Sequence, residues 1–342
     1  MRKPTQRITL KDIADDCGFS VNTVSRALRD DPRLSGATVE TIKKSARSLG
    51  YIRNVLASSL RSGKSGVIAI LIEQIQNPHY SNLISELTSV LSDRGYNTMV
   101  LITQDDPDRE KKMLDMAVSH SVDGILFFPH GPNLTAVQML RESRIPFVMI
   151  DRHVEGVRDV DVVRLDDEQG GYIAAKELLS KGHRHILYIA GPLYSSSQVD
   201  RAAGIRRAIL EEGFDPVKII RSIRWERFQE AIRSDLVLDL LNPVDYTAIL
   251  SFNDEMAYYA MAPLIKTGYR FPEDLSVCGF DFVRGIIPYL PRLTSVTQAK
   301  RNDLSSTAAE VLLKRISHTD FPPRDVCLPV TLIDDCSIRQ IP

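Results

Sequence analysis

The chain has 342 residues, enough for two or three domains with substantial cores. Its net charge of −1 hides an asymmetry: residues 1–66 carry 13 Lys+Arg against 6 Asp+Glu, and the remainder 30 against 38. A basic head on an acidic body suits a polyanion-binding module joined to something else. The four cysteines form no CxxC pair and no Cys/His cluster, so neither a metal nor a cofactor is expected.

Residues 9–34, TLKDIADDCGFSVNTVSRALRDDPRL, place two short helices and a glycine turn near the start. Thr9 can cap a first helix carrying Leu10, Ile13 and Cys17 on one face; Gly18 makes the turn. Ser20 caps a second helix, VNTVSRAL, with Val24, Ala27 and Leu28 facing inward. Its other face carries Asn22 and Arg26, side chains able to pair bidentately with base edges in a major groove. The plain alternative is a helical cap on a larger domain. A third helix fits Ser35–Leu49, stopped by Gly50, and completes a small core around Leu10, Ile13, Val24, Leu28, Ile42 and Leu49. After it, Asn54 can cap a short helix ending near Gly63, with Leu56 and Leu60 on one side, marginal without a partner. GKS at 63–65 is not a phosphate loop: Ser58 stands where that pattern needs glycine, and the segment precedes a strand.

From Gly66 the texture becomes alternating strands and helices. Strands are expected at 67–72, 98–103, 124–128 and 147–151, with helices from Pro78 to Gly95 and from Pro107 to His120. A second series has strands at 162–166, 185–191, 247–252 and 276–281, with helices ending at Gly182 and covering 201–212 and 254–267. The last stretch has a strand at 295–298, a helix at about 300–316 and a strand near 326–333. Two doubly wound lobes of this kind place strand C-termini around one cleft. No leader opens the chain and no run approaches the ~18 apolar residues of a membrane span, so a cytoplasmic protein is expected.

These residues carry a family resemblance. TLKDIADDCGFSVNTVSRAL, LGY at 49–51 and N-x-x-A-x-x-L at 54–60 closely resemble the LacI/GalR family of bacterial transcription regulators. NP at 77–78, VDGILFFP, FVMIDR, KGHRHILYIAG, RAAG, FNDEMA, SVCGFDF and LTSVTQ follow in the family's order. The resemblance implies an all-α helix-turn-helix DNA-binding head and an α/β two-lobed effector domain like the periplasmic binding proteins. The expected domains are a head at 1–53, a hinge helix and linker at 54–65, and a body at 66–342. Within the body, one lobe is expected at 66–165 and 295–325, the other at 166–294 and 326–342.

The resemblance further implies that Val21, Asn22 and Arg26 face bases, Asn22 suiting adenine and Arg26 guanine, at about 1–3 kcal/mol of discrimination per good bidentate pair. Ser20, Thr23 and Ser25 suit capping and phosphate contacts, which set register. Asn54 and Ala57 belong to the hinge; Leu60 wedges into the central base step of a palindrome, or else packs against its dimer mate; Arg61 and Lys64 steady flanking phosphates. In the cleft, effector contacts are implied for Asp151, Arg201, Asn253 and Asp281, with Arg152 adjacent. Such groups suit sugar hydroxyls, while Arg201 alternatively suits a carboxylate or phosphate. Trp225, and Tyr80 or His79, are candidate walls for a sugar face, or core residues. Tyr258 and Tyr259 stand where the family has small residues, and the usual arginine near Asp335 is absent.

The expected protein is a homodimeric, sequence-specific regulator, a repressor of carbohydrate-use genes, binding palindromic operator DNA under control of a sugar-like effector, without enzymatic activity. The rival readings are a solute-binding sensor module without specific DNA binding and a metabolic α/β enzyme. The second lacks a credible nucleophile, metal set or dinucleotide loop.

Overall fold

The computed structural model describes residues 8–51, 64–104, 106–131, 133–242, 245–283, 291–318 and 321–342. The chain divides into two compact units between Ser65 and Gly66. In the first, Thr9 caps α1 (Leu10–Cys17) through a reciprocal pair: its hydroxyl oxygen accepts from the Asp12 N–H, and the Asp12 carboxylate accepts from the Thr9 N–H at 2.8 Å. Gly18, at φ +74°, ends that helix in a conformation that costs glycine least. Ser20 and Ser35 cap α2 (Val21–Ala27) and α3 (Gly36–Ser48) through the N–H groups of Thr23 and Thr38. Ile13, Val24, Ala27 and Ile42 are fully buried where the three helices meet, with Leu10, Leu28, Val39 and Leu49 packed around them.

The second unit holds two six-stranded sheets. One is wholly parallel, in the order β11-β5-β4-β3-β1-β2, and contains β1 (Val67–Ile72), β2 (Asn97–Ile102), β3 (Gly124–Phe127), β4 (Phe147–Ile150), β5 (Asp161–Leu165) and β11 (Asp325–Leu328). The other runs β12-β10-β9-β8-β6-β7, from β6 (Ile186–Ile189), β7 (Ile220–Ile223), β8 (Ala248–Ser251), β9 (Ser276–Phe280), β10 (Thr294–Gln298) and β12 (Val330–Ile333). Only β12 is antiparallel, to β10. Helices cover both faces of each sheet, so runs such as VIAILI are buried on both sides and need no alternation. Elements unforeseen in the sequence are β7 and the helices Leu134–Ser143, Pro216–Ile219, Trp225–Arg233 and Val237–Leu241.

The expected lobe boundaries need correction at the C-terminal end. Residues 295–298, assigned to the first lobe, pair with β9 in the second sheet; 326–328, assigned to the second, pair with β5 in the first. The single strand expected near 326–333 is two strands in different sheets. Pro329 separates them, since a residue without an N–H cannot continue the ladder. Its carbonyl instead accepts from the Ala299 N–H, and the Leu328 carbonyl from the Asp166 N–H, both at 2.9 Å. The three crossings between the sheets, near residues 166, 299 and 329, are thereby tied side by side. Among the described residues no helix is long and apolar enough to cross a membrane.

Candidate DNA-reading surface and effector cleft

On the first unit, α2 presents Val21, 45% exposed, together with exposed Asn22. Arg26 is partly exposed on the same helix; Val24 and Ala27 point inward. Ser20 and Thr23 are joined at the cap by a 2.8 Å hydroxyl contact, whereas Ser25 is buried at 9% exposure and its carbonyl accepts from Arg29 Nε. Ser25 thus packs inward, leaving little hydroxyl surface for a phosphate. Asn54, Ala57, Leu60 and Arg61 lie outside the described residues.

In the second unit, four of the expected effector residues stand at strand or helix ends in the two lobes. Asp151 follows β4 and Asp281 follows β9, each the third strand of its sheet, and both adopt left-handed φ values, +70° and +93°. Aspartate tolerates this region better than most residues. Between them sits His79, in the first turn of helix Pro78–Asp93, 3.8 Å from Asp151 through Nε2 and 3.8 Å from Asp281 through Nδ1. Burial alone lowers its pKa, but the two carboxylates outweigh that and raise it to about 9; Asp151, buried beside His79 and two arginines, falls to about 2.

Arg201, in helix Ser196–Glu211, donates from Nε to Asp167 at 2.7 Å and from Nη1 to the Phe252 carbonyl at 2.6 Å. Its guanidinium lies over the rings of Phe252 and Phe280 at 4.8 and 4.3 Å and is 3.9 Å from Asp281. Burial raises Asp167 to about 6 despite Arg201. Arg152 is likewise committed, pairing with buried Glu73 and donating to the Tyr80 hydroxyl at 2.6 Å. Asn253 caps the helix Asp254–Lys266 through its side-chain oxygen, which occupies its acceptor and turns the amide NH2 away from the cap.

A cavity of about 660 Å³ opens beside this cluster, lined by His79, Asp167, Arg201, Phe280 and Asp281 together with Gln298 and Ala299 near the crossings. That volume suits a small-molecule site. The walls therefore include Arg201 and Asp281 from the expected set, with Asp151 in contact through His79. Tyr80 and Trp225 are not among the residues lining this cavity. Tyr80 is buried against Phe128 with its hydroxyl taken by Arg152, and Trp225 stands one ring back, edge-on to Phe252 at 6.3 Å. Residues missed as functional in the sequence are Glu73 and Asp167, the carboxylates that hold the two arginines. Asp167 had a signal, since it directly follows Asp166, which accepts from the Gln169 N–H as the helix cap and frees its neighbour to point inward. Among the described residues no group of His, Cys, Asp and Glu is placed to hold a metal ion.

Comparison with known proteins bears on both surfaces. Residues 9–54 match the model of bacterial regulatory proteins of the lacI family, and residues 65–336 that of periplasmic binding proteins and the sugar binding domain of the LacI family. An HTH-type transcriptional repressor PurR of Vibrio atlanticus is 31% identical over 336 residues, covering 97% of this chain and 99% of its own. The HTH-type transcriptional regulator DegA of Bacillus subtilis is 31% identical over 297 residues, covering 85% and 87%. Among solved structures, a complex of the transcriptional regulator CelR with cellobiose is 27% identical, with TM-score 0.69, covering 97% of this chain and 100% of that one. A lac repressor dimer bound to operator, 24% identical over 98% of this chain and 100% of that one, with TM-score 0.82, shares the fold. With a helix-turn-helix head and a two-lobed body both matched in order, the chain belongs to the LacI family of bacterial regulatory proteins, DNA-binding regulators of transcription.

Proposed function

We propose that this regulator is a homodimeric repressor whose grip on a palindromic operator is set by an uncharged sugar bound between its lobes. The observation that carries the effector class is the pairing inside the cleft. Among the described residues each buried cation there already holds a carboxylate of the protein: Arg201 holds Asp167, Arg152 holds Glu73, and His79 stands between Asp151 and Asp281. A phosphate or carboxylate ligand would compete with these internal pairs and bring further negative charge beside Asp151 and Asp281. Sugar hydroxyls, which both donate and accept, can bond to committed charges without displacing them. The ligands of related structures support this reading: cellobiose for CelR, and D-xylulofuranose for a regulator from Alkaliphilus metalliredigens.

Closure on the sugar and operator binding are then coupled reciprocally, the coupling passing through residues 54–62, which lie outside the described residues. The work is binding rather than catalysis, and it belongs in the cytoplasm, where the DNA is. A gel shift on a randomised palindromic pool and a melting-temperature screen of metabolites test this together. A discrete, salt-sensitive shifted band and stabilisation by neutral sugars but not by their phosphate esters are expected. Absence of a shifted band leaves only a solute-binding sensor, and stabilisation by nucleobases, amino acids or sugar phosphates alone removes the neutral sugar.

A further inference from the structure

At the end of α2 the chain turns through Asp30, at φ +56°, and Asp31 folds back along the helix it has just left. The Asp31 N–H bonds to the Arg26 carbonyl at 3.2 Å, and its carboxylate accepts from Arg26 Nε at 2.9 Å. Asp31 is in turn fixed by Arg33: Oδ1 accepts from the backbone N–H and Nε of Arg33 at 3.1 and 2.9 Å, and Oδ2 from Nη2 at 2.8 Å. These bonds hold its carboxyl far below the usual carboxylate range. The Asp31 side chain is 13% exposed and that of Arg26 is 31% exposed.

We infer that Asp31 is a specificity-determining positioning residue for DNA recognition: it clamps Arg26 by Nε so that the two terminal amino groups project together as a fork for guanine. The inference rests on the reading of Arg26 as a base-reading side chain. The physical case is one of pre-organisation. Arginine has five N–H donors and much rotamer freedom, and in solution it swings readily from a base edge to a neighbouring phosphate. Once Nε is occupied, the end carrying Nη1 and Nη2 remains, and its spacing fits guanine O6 and N7. Arg33 neutralises the charge that Asp31 would otherwise set against the DNA backbone, so the clamp does not repel the duplex as a bare carboxylate would.

A merely structural turn residue and a positioning residue differ in what their loss changes. Loss of a turn weakens binding to every sequence; loss of the clamp relaxes one base pair in each half-site and leaves the rest. The test is selection of full-length protein on a randomised palindromic DNA pool, for wild type, Arg26→Ala, Asp31→Ala, Asp31→Asn and the double variant Arg26→Ala/Asp31→Ala. Wild type should enrich a palindrome, and Arg26→Ala should lose preference at one base pair per half-site. Asp31→Ala should relax that same base pair about tenfold, with equal or tighter binding to non-specific DNA because a negative charge is gone. Asp31→Asn, which keeps an acceptor for Nε without the charge, should fall between the two and serves if Asp31→Ala melts early. The double variant should discriminate no worse than Arg26→Ala alone. The inference is overturned if Asp31 variants weaken all sequences uniformly, relax a different base pair, or leave the preference intact. If wild type enriches no sequence, or Arg26→Ala leaves the preference unchanged, the reading of Arg26 itself fails, and the clamp goes with it.

Discussion

His79 shows how one residue sets the character of the cleft. A histidine between two carboxylates from opposite lobes is favoured in its protonated form at neutral pH, and it links β4's end to β9's end. Its folded pKa, about 9, lies above the ordinary value of 6.5, so the folded protein holds this proton more tightly than the unfolded chain. The stabilisation is therefore fully present below about pH 6.5 and is lost as pH rises through about 9. At about 1.4 kcal/mol per pH unit of displacement, its ceiling is about 3.5 kcal/mol. Denaturant unfolding at pH 6 and pH 10 should show wild type losing more stability than His79→Gln, which carries no titrating proton. Equal losses in the two proteins would mean that His79 is not charged in the folded state. Arg201 illustrates the opposite economy: buried between Asp167, the Phe252 carbonyl and two rings, it organises the site by occupying its own donors.

Arg201 is held in place by two helices that approach too closely for any side chain between them. Where Asp167–Ser180 crosses Ser196–Glu211, a Cβ on Gly171 would lie 2.0 Å from the Arg201 carbonyl oxygen, and one on Gly204 would lie 1.8 Å from the Glu168 carbonyl oxygen. Both obstacles are backbone, so no rotamer change can make room. Gly204→Ala must push the helices apart, which carries Arg201 away from Asp167. The expected loss is at least the 1–3 kcal/mol of an overpacked core, and it should appear as a lower denaturation midpoint. A variant as stable as wild type would show that this crossing is looser than described.

The same crossing marks what the sequence reveals and what it withholds. RAAG at 201–204 is visible as a motif, and the strong punctuation of Thr9, Gly18, Ser20 and Ser35 fixes the head helices nearly to the residue, because caps are local chemistry. Buried parallel strands such as β1 are legible as continuous apolar runs. The identity of Arg201's partner, and the sheets to which 294–298 and 325–328 belong, depend on contacts between elements that are separate in the chain, which no local pattern encodes. The segment 216–241 was missed for a different reason: its helices are four to nine residues long, too short for periodicity to separate from loop.

For the body as a whole, the three adjacent crossings near residues 166, 299 and 329 restrict how the lobes can move. Segments bonded side by side bend together, so opening and closing is a hinge motion, with the largest displacement at the far lip of the cleft. That lip is where Tyr194, following β6, meets the His130 ring at a 49° tilt with 4.7 Å between ring centres and packs against Gly131, whose added Cβ would lie 3.1 Å from it. Beside it the His153 N–H donates to Ser196 Oγ across the lobes at 3.1 Å. His130's own loop is anchored by Glu110, a carboxylate that burial raises to about 7 and that accepts from the His130 N–H. Contacts at the lip act at the longest distance from the hinge, so small energies there bias the open–closed balance without touching the sugar-facing charges. Tyr194→Ala removes an aromatic contact of about 0.5–1.5 kcal/mol beyond its buried area, and so should raise the open population by roughly tenfold or less. Amide exchange measured on ligand-free protein should quicken by that factor in 191–197 and 129–131, while the strands of both sheets keep their protection. Uniformly faster exchange throughout the body would instead mean that Tyr194 supports the fold, and no change at the lip would mean that the closed state does not depend on it.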